Sequence, residues 1–490
     1  MTFRTISRTL LAAALLAPAV VSAKWSKTHE SNLLIAGGPS EQTQGKLAPM
    51  ADGGFYVVWF DNVNGGYDVR LQRLDVKGRP QWGANGILVA DRDLKYTTDY
   101  GIAVDTAGNA MLAFHDMDAA GKFHIQVAKI SPDGVPLWGG DAGVLQLPDG
   151  AIDGALSPKI VAMPDGCAVV AWNGRYTLSG QGNVVLQRLH STGALLWGDD
   201  NLQINPPLGG SYLMSELRAS EDGGAIVSMN AQLGRFVNQH WAQKYDADGL
   251  PLWGETPLKL WDDNATGAIP NGTFPTFVTD GAGGAVFCWD YTFGVSSRRA
   301  RAQHVGADGI ERYPHNGVAV SADDVNNRGE CVASHDATTG DSYFLWRERT
   351  PGNNFVQSGV IAQRMDATGH RLWGETGNVI LPLDAIEKSQ VRMVPMPDGF
   401  VVAWALQSYP QAMPVQAAYI TRDGGYGWSR GIIGIKSSAS ATGWLLGARS
   451  ADGYAAFVWG DVFDVTDNDL VVQNIGRDGV LGKKDPGAIR

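Results

Sequence analysis

Asp461, Asp464, Asp467 and Asp469 place four carboxylates within nine residues, the densest set of metal-type ligands in the chain. Calcium takes about six to eight oxygens in a flexible shell, so it is the cofactor such a loop would hold, although the spacing is not that of an EF-hand. Asp61, Asn64 and Asp68 repeat the idea more thinly. A second group, Tyr176, Tyr291, Phe293, Arg347, Arg349 and Tyr409, combines flat rings with guanidinium groups, a mixture suited to the faces and hydroxyls of a glycan or to a peptide. No catalytic residue is expected. The sequence has no His-Glu-x-x-His stretch, no Gly-x-Ser-x-Gly elbow and no phosphate-cradling glycine loop, and its nine histidines are scattered. Paired acids for glycoside chemistry would have to be assembled by the fold. Beyond calcium, no cofactor is expected.

Composition narrows the partners. Arg4 and Arg8 precede an apolar run from Leu10 to Val21 and the small residues Val21-Ser22-Ala23, the pattern of a secretory signal peptide spanning residues 1–23. The run is too short to cross a bilayer, which needs about 20 residues, and no later segment qualifies. A periplasmic or secreted protein is expected, with no membrane span. Losing the two arginines takes the formal net charge from −11 to −13. An acidic chain without a Lys/Arg cluster excludes nucleic acid as a partner. Cys167, Cys288 and Cys331 are odd in number and far apart, and are expected to be three separate buried apolar residues.

What must position any site is a repeat. A glycine followed by an apolar run and an aromatic recurs eight times, at Gly53, Gly108, Gly166, Gly223, Gly283, Gly340, Gly399 and Gly453, with a mean period of about 57 residues. The aromatic is usually tryptophan, as at Trp59, Trp172 and Trp289. A second signature follows each, as in Gln72-Arg73-Leu74-Asp75-Val76-Lys77-Gly78-Arg79-Pro80-Gln81-Trp82-Gly83. Twelve of the sixteen tryptophans occupy these two positions, which marks them as packing residues. Repeat five has Tyr313 at the second position and repeat eight has no aromatic there. The recurrent amide of this signature (Gln72, Gln187, Gln243, Gln303, Gln363 and Gln473) is expected to satisfy backbone groups.

Each unit reads as four strands. In the third, strands near 158–163, 168–172, 183–189 and 201–205 are separated by the turns Pro164-Asp165-Gly166 and Ser191-Thr192-Gly193. Apolar runs rather than clean alternation mean sheets covered on both faces, as in propeller blades. The last repeat stops short of a fourth strand, while Asn32-Leu33-Leu34-Ile35-Ala36 precedes the first repeat unpartnered. Joining them removes two exposed sheet edges. The sequence therefore predicts an all-β, eight-bladed β-propeller, with four antiparallel strands per blade, occupying residues 24–490 and closed by its N-terminal strand.

The Gln-x-x-Asp-x-x-Gly-x-x-x-Trp-Gly pattern resembles repeats of secreted bacterial proteins of unassigned function over the whole mature chain. It is also similar to the tryptophan-docking motif of eight-bladed quinoprotein-type propellers, one residue shorter between Asp and Gly. That likeness implies either calcium- and quinone-dependent alcohol dehydrogenases or non-catalytic scaffolds of outer-membrane assembly. The dehydrogenases carry a vicinal cysteine pair, which this chain lacks. Ser131-Pro132-Asp133-Gly134-Val135-Pro136-Leu137-Trp138 is similar to the Asp-box turn of sialidase-type propellers, with the glycine displaced by one position.

The function expected is a non-enzymatic binding or assembly scaffold, a monomer that holds an extracellular polysaccharide or an envelope protein on its loop-rich face. The alternative is a carbohydrate-active hydrolase or lyase with acidic residues at the propeller mouth.

Overall fold

The computed structural model describes residues 24–149, 152–176, 181–234, 237–294, 297–352, 357–407, 413–437, 440–463 and 466–482. The Gly turns and apolar runs fold into eight antiparallel sheets arranged as the blades of a propeller. Blade 1 is typical: Gln42–Pro49 lies innermost, then Phe55–Asp61, Asp68–Leu74 and, at the rim, Ile87–Ala90. The other innermost strands are Gly101–Val104, Ile152–Ala162, Ser211–Ala219, Asn327–Asp336, Glu387–Met396 and Ala441–Arg449. In blade 5 the innermost strand is broken into Gly267–Ala268 and Phe277–Thr279.

Closure follows the expectation. Leu33–Ala36 pairs antiparallel with Asn468–Ile475, Leu33 opposite Val472, as the outer strand of blade 8. The N-terminal segment supplies more than that strand. In blades 2, 3, 4 and 7 the signature tryptophan donates its indole N–H to a turn carbonyl of the next blade, Trp138 to Ser191, Trp197 to Ala247, Trp253 to Ala307 and Trp428 to Arg477. Trp25 makes the equivalent bond to Val76 at 2.9 Å and packs against Gly78, so it is the aromatic that repeat eight lacks. The amide clip is rebuilt in the same way. Gln363 donates to the Gly374 carbonyl at 2.8 Å and accepts from the Trp373 amide at 2.9 Å, whereas Gln473 donates to Thr28 at 3.0 Å.

The core is divided among eight apolar clusters, each filling one junction between neighbouring blades. The aromatic residues Trp59, Trp346, Trp404 and Trp459 are wholly buried there, which is why their positions repeat. The turn glycine of the signature has a steric role. At φ +91° a side chain on Gly193 would meet the Trp138 ring at 3.1 Å. One expectation is corrected: Cys288 and Cys331 form a disulfide between blades 5 and 6, with Cα atoms 5.7 Å apart, and Cys167 alone stays free and buried. Their sequence separation of 43 hides that the two strands face each other across a blade junction.

Candidate functional site

Eight innermost strands edge the central channel, and most carry the same irregularity close to the loop-rich end. The pairing slips between Thr43 and Lys46, Leu156 and Lys159, Gly329 and Val332, Ser389 and Arg392, and Gly443 and Leu446. Each slip is a β-bulge built on a non-glycine residue of left-handed φ: Gln44, Ser157, Glu330, Gln390 and Trp444 lie between +51° and +56°. Side chains tie successive bulges together. Glu330 accepts from the Val391 amide at 3.2 Å, and Gln390 accepts from Leu445 at 2.6 Å while donating to the Thr442 carbonyl at 2.7 Å. Backbone groups that the bulges free from the ladder are thereby satisfied.

Around blades 1 to 4 the innermost strands, and Asp99 just ahead of the one in blade 2, carry a chain of opposite charges. Lys46 contacts Asp99; Asp99 pairs with Lys159 at 3.0 Å; Lys159 faces Glu216 at 3.7 Å, and Glu216 meets Arg218 at 3.4 Å. Burial pushes the Asp99 carboxyl up, but Lys46 and Lys159 outweigh it and hold it well below the usual carboxylate range. Burial also opposes ionisation of Glu216, and Arg218 and Lys159 more than offset it. With the folded value of Asp99 below the unfolded value of about 3.9, its stabilisation is complete above that pH and is lost as pH falls through the folded value. Asp99→Asn leaves two ammonium groups facing each other. It is expected to cost about 1–2 kcal/mol, less than the 3–5 kcal/mol of a fully buried pair because the carboxylate is partly open to water. Denaturant midpoints at pH 7 and pH 3 check this: the gap between wild type and variant should shrink at the lower pH.

Across the ring, Arg347 pairs with Glu330 at 2.8 Å and with Glu387 at 3.0 Å, and Arg349 contacts Glu387. The two candidate arginines are thus brought together, on a shared carboxylate. Phe293 is exposed at the end of its strand, with the Arg299 guanidinium 5.9 Å from its ring. Tyr291 is buried, its ring 4.5 Å from Trp261 in the junction of blades 4 and 5. The strand Ala285–Phe293 runs past the point where the sequence suggested a loop, and its alternation puts Tyr291 on the face of Trp289. Tyr176 ends the strand Ala168–Tyr176, its backbone opposite Ile152, and its side chain lies outside the described residues, as does Tyr409.

Of the acidic loop, Asp464 lies outside the described residues. Asp461 accepts from the Trp459 indole at 3.0 Å and pairs with Lys436 at 3.1 Å, so its charge is already balanced. Asp469 stands opposite Asp461 in the sheet, its carboxyl pushed up by burial and by Asp467 and Asp461. Among the described residues no three His, Cys, Asp or Glu side chains converge as a metal site.

The open concavity is elsewhere. A cleft of about 480 Å³ opens on the loop-rich face across blades 2, 3 and 4. Its apolar lining comes from Phe123, Leu156 and Leu213, its polar lining from Lys122, Asn173, Arg175, Ser211 and Gln232, and Gly154, Gly174 and Gly182 leave the room. Leu156 and Leu213 belong to innermost strands, so the cleft reaches the strands that edge the channel. Asn173 fixes its floor by accepting from the Met214 amide at 2.7 Å. Lys122 is held by Asp149 at 2.9 Å, whereas Arg175 is exposed. The sequence carried a signal for the charged ring. Lys46, Lys159, Glu216 and Arg392 each stand seven residues before a repeat glycine, in strands otherwise apolar or small at that depth. The cleft had none, because it is assembled from three blades.

No protein-family profile matches the chain, and no curated protein matches it. Among solved structures it is similar to a family PL25 polysaccharide lyase, an ulvan lyase bound to -[GlcA(1-4)Rha3S]-, at 11% identity over 83% of this chain and 96% of that one, with a TM-score of 0.43. The β-propeller domain of the Trilobed protease from Pyrococcus furiosus, described as having an open velcro topology, aligns at 9% identity over 82% and 97% with a TM-score of 0.39. A protein of unknown function from Dyadobacter fermentans aligns at 10% identity over 65% and 94% with a TM-score of 0.36.

Proposed function

We propose that this propeller is an exported, non-enzymatic binding module that holds an extracellular polysaccharide on its loop-rich face. The observation that carries the reading is the cleft across blades 2 to 4. Phe123, Leu156 and Leu213 offer surface for the C–H faces of sugar rings, and Asn173, Arg175, Ser211 and Gln232 offer donors and acceptors at its edge. A concave site of this kind suits a chain of small units better than the broad face a folded partner needs. Export is supported by the Cys288–Cys331 disulfide, since such bonds persist in oxidising compartments.

Binding without turnover is favoured by the state of the acids at the mouth. Asp99 and Glu216 are matched by Lys46, Lys159 and Arg218, which lower their carboxyls and keep them ionised, and Glu330 and Glu387 are each paired with arginine, whereas a glycosidase needs one acid held protonated. One acid favours the rival hydrolase. Burial raises the Asp290 carboxyl against its Arg298 partner at 3.1 Å, and the charge of Glu330 raises it further. Affinity electrophoresis against neutral and acidic polysaccharides separates the readings. Wild type is expected to be retarded by at least one polymer, Phe123→Ala/Arg175→Ala to bind it at least about tenfold more weakly, and neither to release sugar. Sugar release abolished by Asp290→Asn would replace binding with hydrolysis.

A further inference from the structure

Of the bulge residues that ring the channel mouth, Trp444 is the anomaly. It lies in the innermost strand of blade 8 at φ +51°, where a bulky side chain is strained, yet it is 59% exposed. Strain of this kind persists where the surroundings impose it, and here they do. Gln390 bonds the Thr442 carbonyl and the Leu445 amide on either side of Trp444, and Arg392 donates to the Leu445 carbonyl at 2.7 Å. In blades 6 and 7 the bulge side chain reaches the bulge of the following blade; an indole cannot accept such a bond, so the relay ends at Trp444. Phe274 occupies the same repeat position in blade 5, nine residues before the repeat glycine, and is 48% exposed.

We infer that Trp444 and Phe274 are stacking platforms for a saccharide chain end entering the axial channel, a subsite of the glycan-binding face proposed above, on which this inference rests. In blades 1, 2, 3, 6 and 7 the neighbouring positions carry amide, hydroxyl and charged groups, Gln44, Asp99, Ser157, Glu330 and Gln390, and in blade 4 the buried Met214. Isolated flat apolar faces within a hydroxyl-matching rim fit a pyranose, which is apolar on its ring face and polar at its edge. Neighbouring innermost strands approach within 8 Å between Cα atoms all the way round, so the mouth is a few strand spacings wide. That admits one sugar chain and not a folded protein. Blade 8 lies opposite blade 4 in the ring, which sets the indole across the mouth from the cleft and lets one chain touch both.

Trp444→Gly provides the test, because it removes the platform and relieves the left-handed strain together. Retention on a panel of xylan, mixed-linkage glucan, mannan, alginate, pectate and a sulfated galactan is compared for wild type, Trp444→Gly, Trp444→Phe and Phe274→Ala, with iodide quenching of tryptophan fluorescence on the polymer retained. The inference expects Trp444→Gly to melt at or above the wild-type temperature while binding about tenfold more weakly, Trp444→Phe to keep most of the affinity, and bound polymer to shield wild type from iodide. Unchanged affinity in Trp444→Gly, or a melting temperature several degrees lower, overturns the platform and leaves the loop-face reading standing. No retention of wild type by any member of the panel contradicts that reading and the platform with it.

Discussion

Deletion of residues 24–37 is expected to unfold blade 8, more than 400 residues away in sequence, and to remove most of the net stability of the ring. The segment does three separate things for the last blade. Leu33–Ala36 completes its sheet, Trp25 fills the junction of blades 8 and 1 against Phe55 and Tyr454, and Thr28 accepts from Gln473. Asn32 also bonds the Ile435 carbonyl at 2.8 Å, and the Ser437 amide donates to His29 at 2.7 Å, so blade 7 is held as well. Truncating one buried tryptophan costs about 3–5 kcal/mol, against a total stability of about 5–15 kcal/mol. Trp25→Ala alone should therefore lower the melting temperature by many degrees, and the deletion should leave residues 441–475 open to protease and to rapid hydrogen exchange. Resistance of that stretch in the deleted protein would mean that blade 8 stands without its outer strand.

The second large effect concerns the disulfide. Cys331 follows Glu330 directly, and its bond to Cys288 ties the bulge of blade 6 to the buried second strand of blade 5. Closing a loop with a sequence separation of 43 restricts the unfolded chain by about 4 kcal/mol in the chain-entropy account. Cys288→Ala/Cys331→Ala is expected to lose about 3–4 kcal/mol, seen as a lower denaturant midpoint. Reduction of wild type should reproduce the loss. A variant as stable as wild type would show that the junction is already fixed by its packing.

The propeller was legible because packing repeats. A tryptophan that fills a blade junction recurs wherever a junction recurs, and a turn glycine recurs wherever a neighbouring indole leaves no room for a side chain. Even Trp25 obeys the spacing: it precedes Gly78 by 53 residues, as Trp82 precedes Gly134 by 52. The site was far less legible. A bulge breaks the two-residue alternation on which strand reading depends, and nothing in the types Gln44, Ser157 or Trp444 announces left-handed backbone. Tyr291 looked like a loop aromatic only because its strand extends to Phe293. Cys288 and Cys331 read as unrelated because their pairing is set by the ring. The cleft draws on residues from 121 to 232, whose proximity no local pattern encodes.

Hydrogen exchange across the whole chain, with and without the polysaccharide that retards it, tests the binding face most directly. Protection is expected in peptides covering 121–125, 154–157, 173–175 and 211–214 and at the mouth strand around Trp444, with the turns at the opposite end, such as 75–80 and 191–195, unchanged. Protection confined to that opposite end, or spread evenly around the rim strands, would contradict the assignment of the loop-rich face as the site.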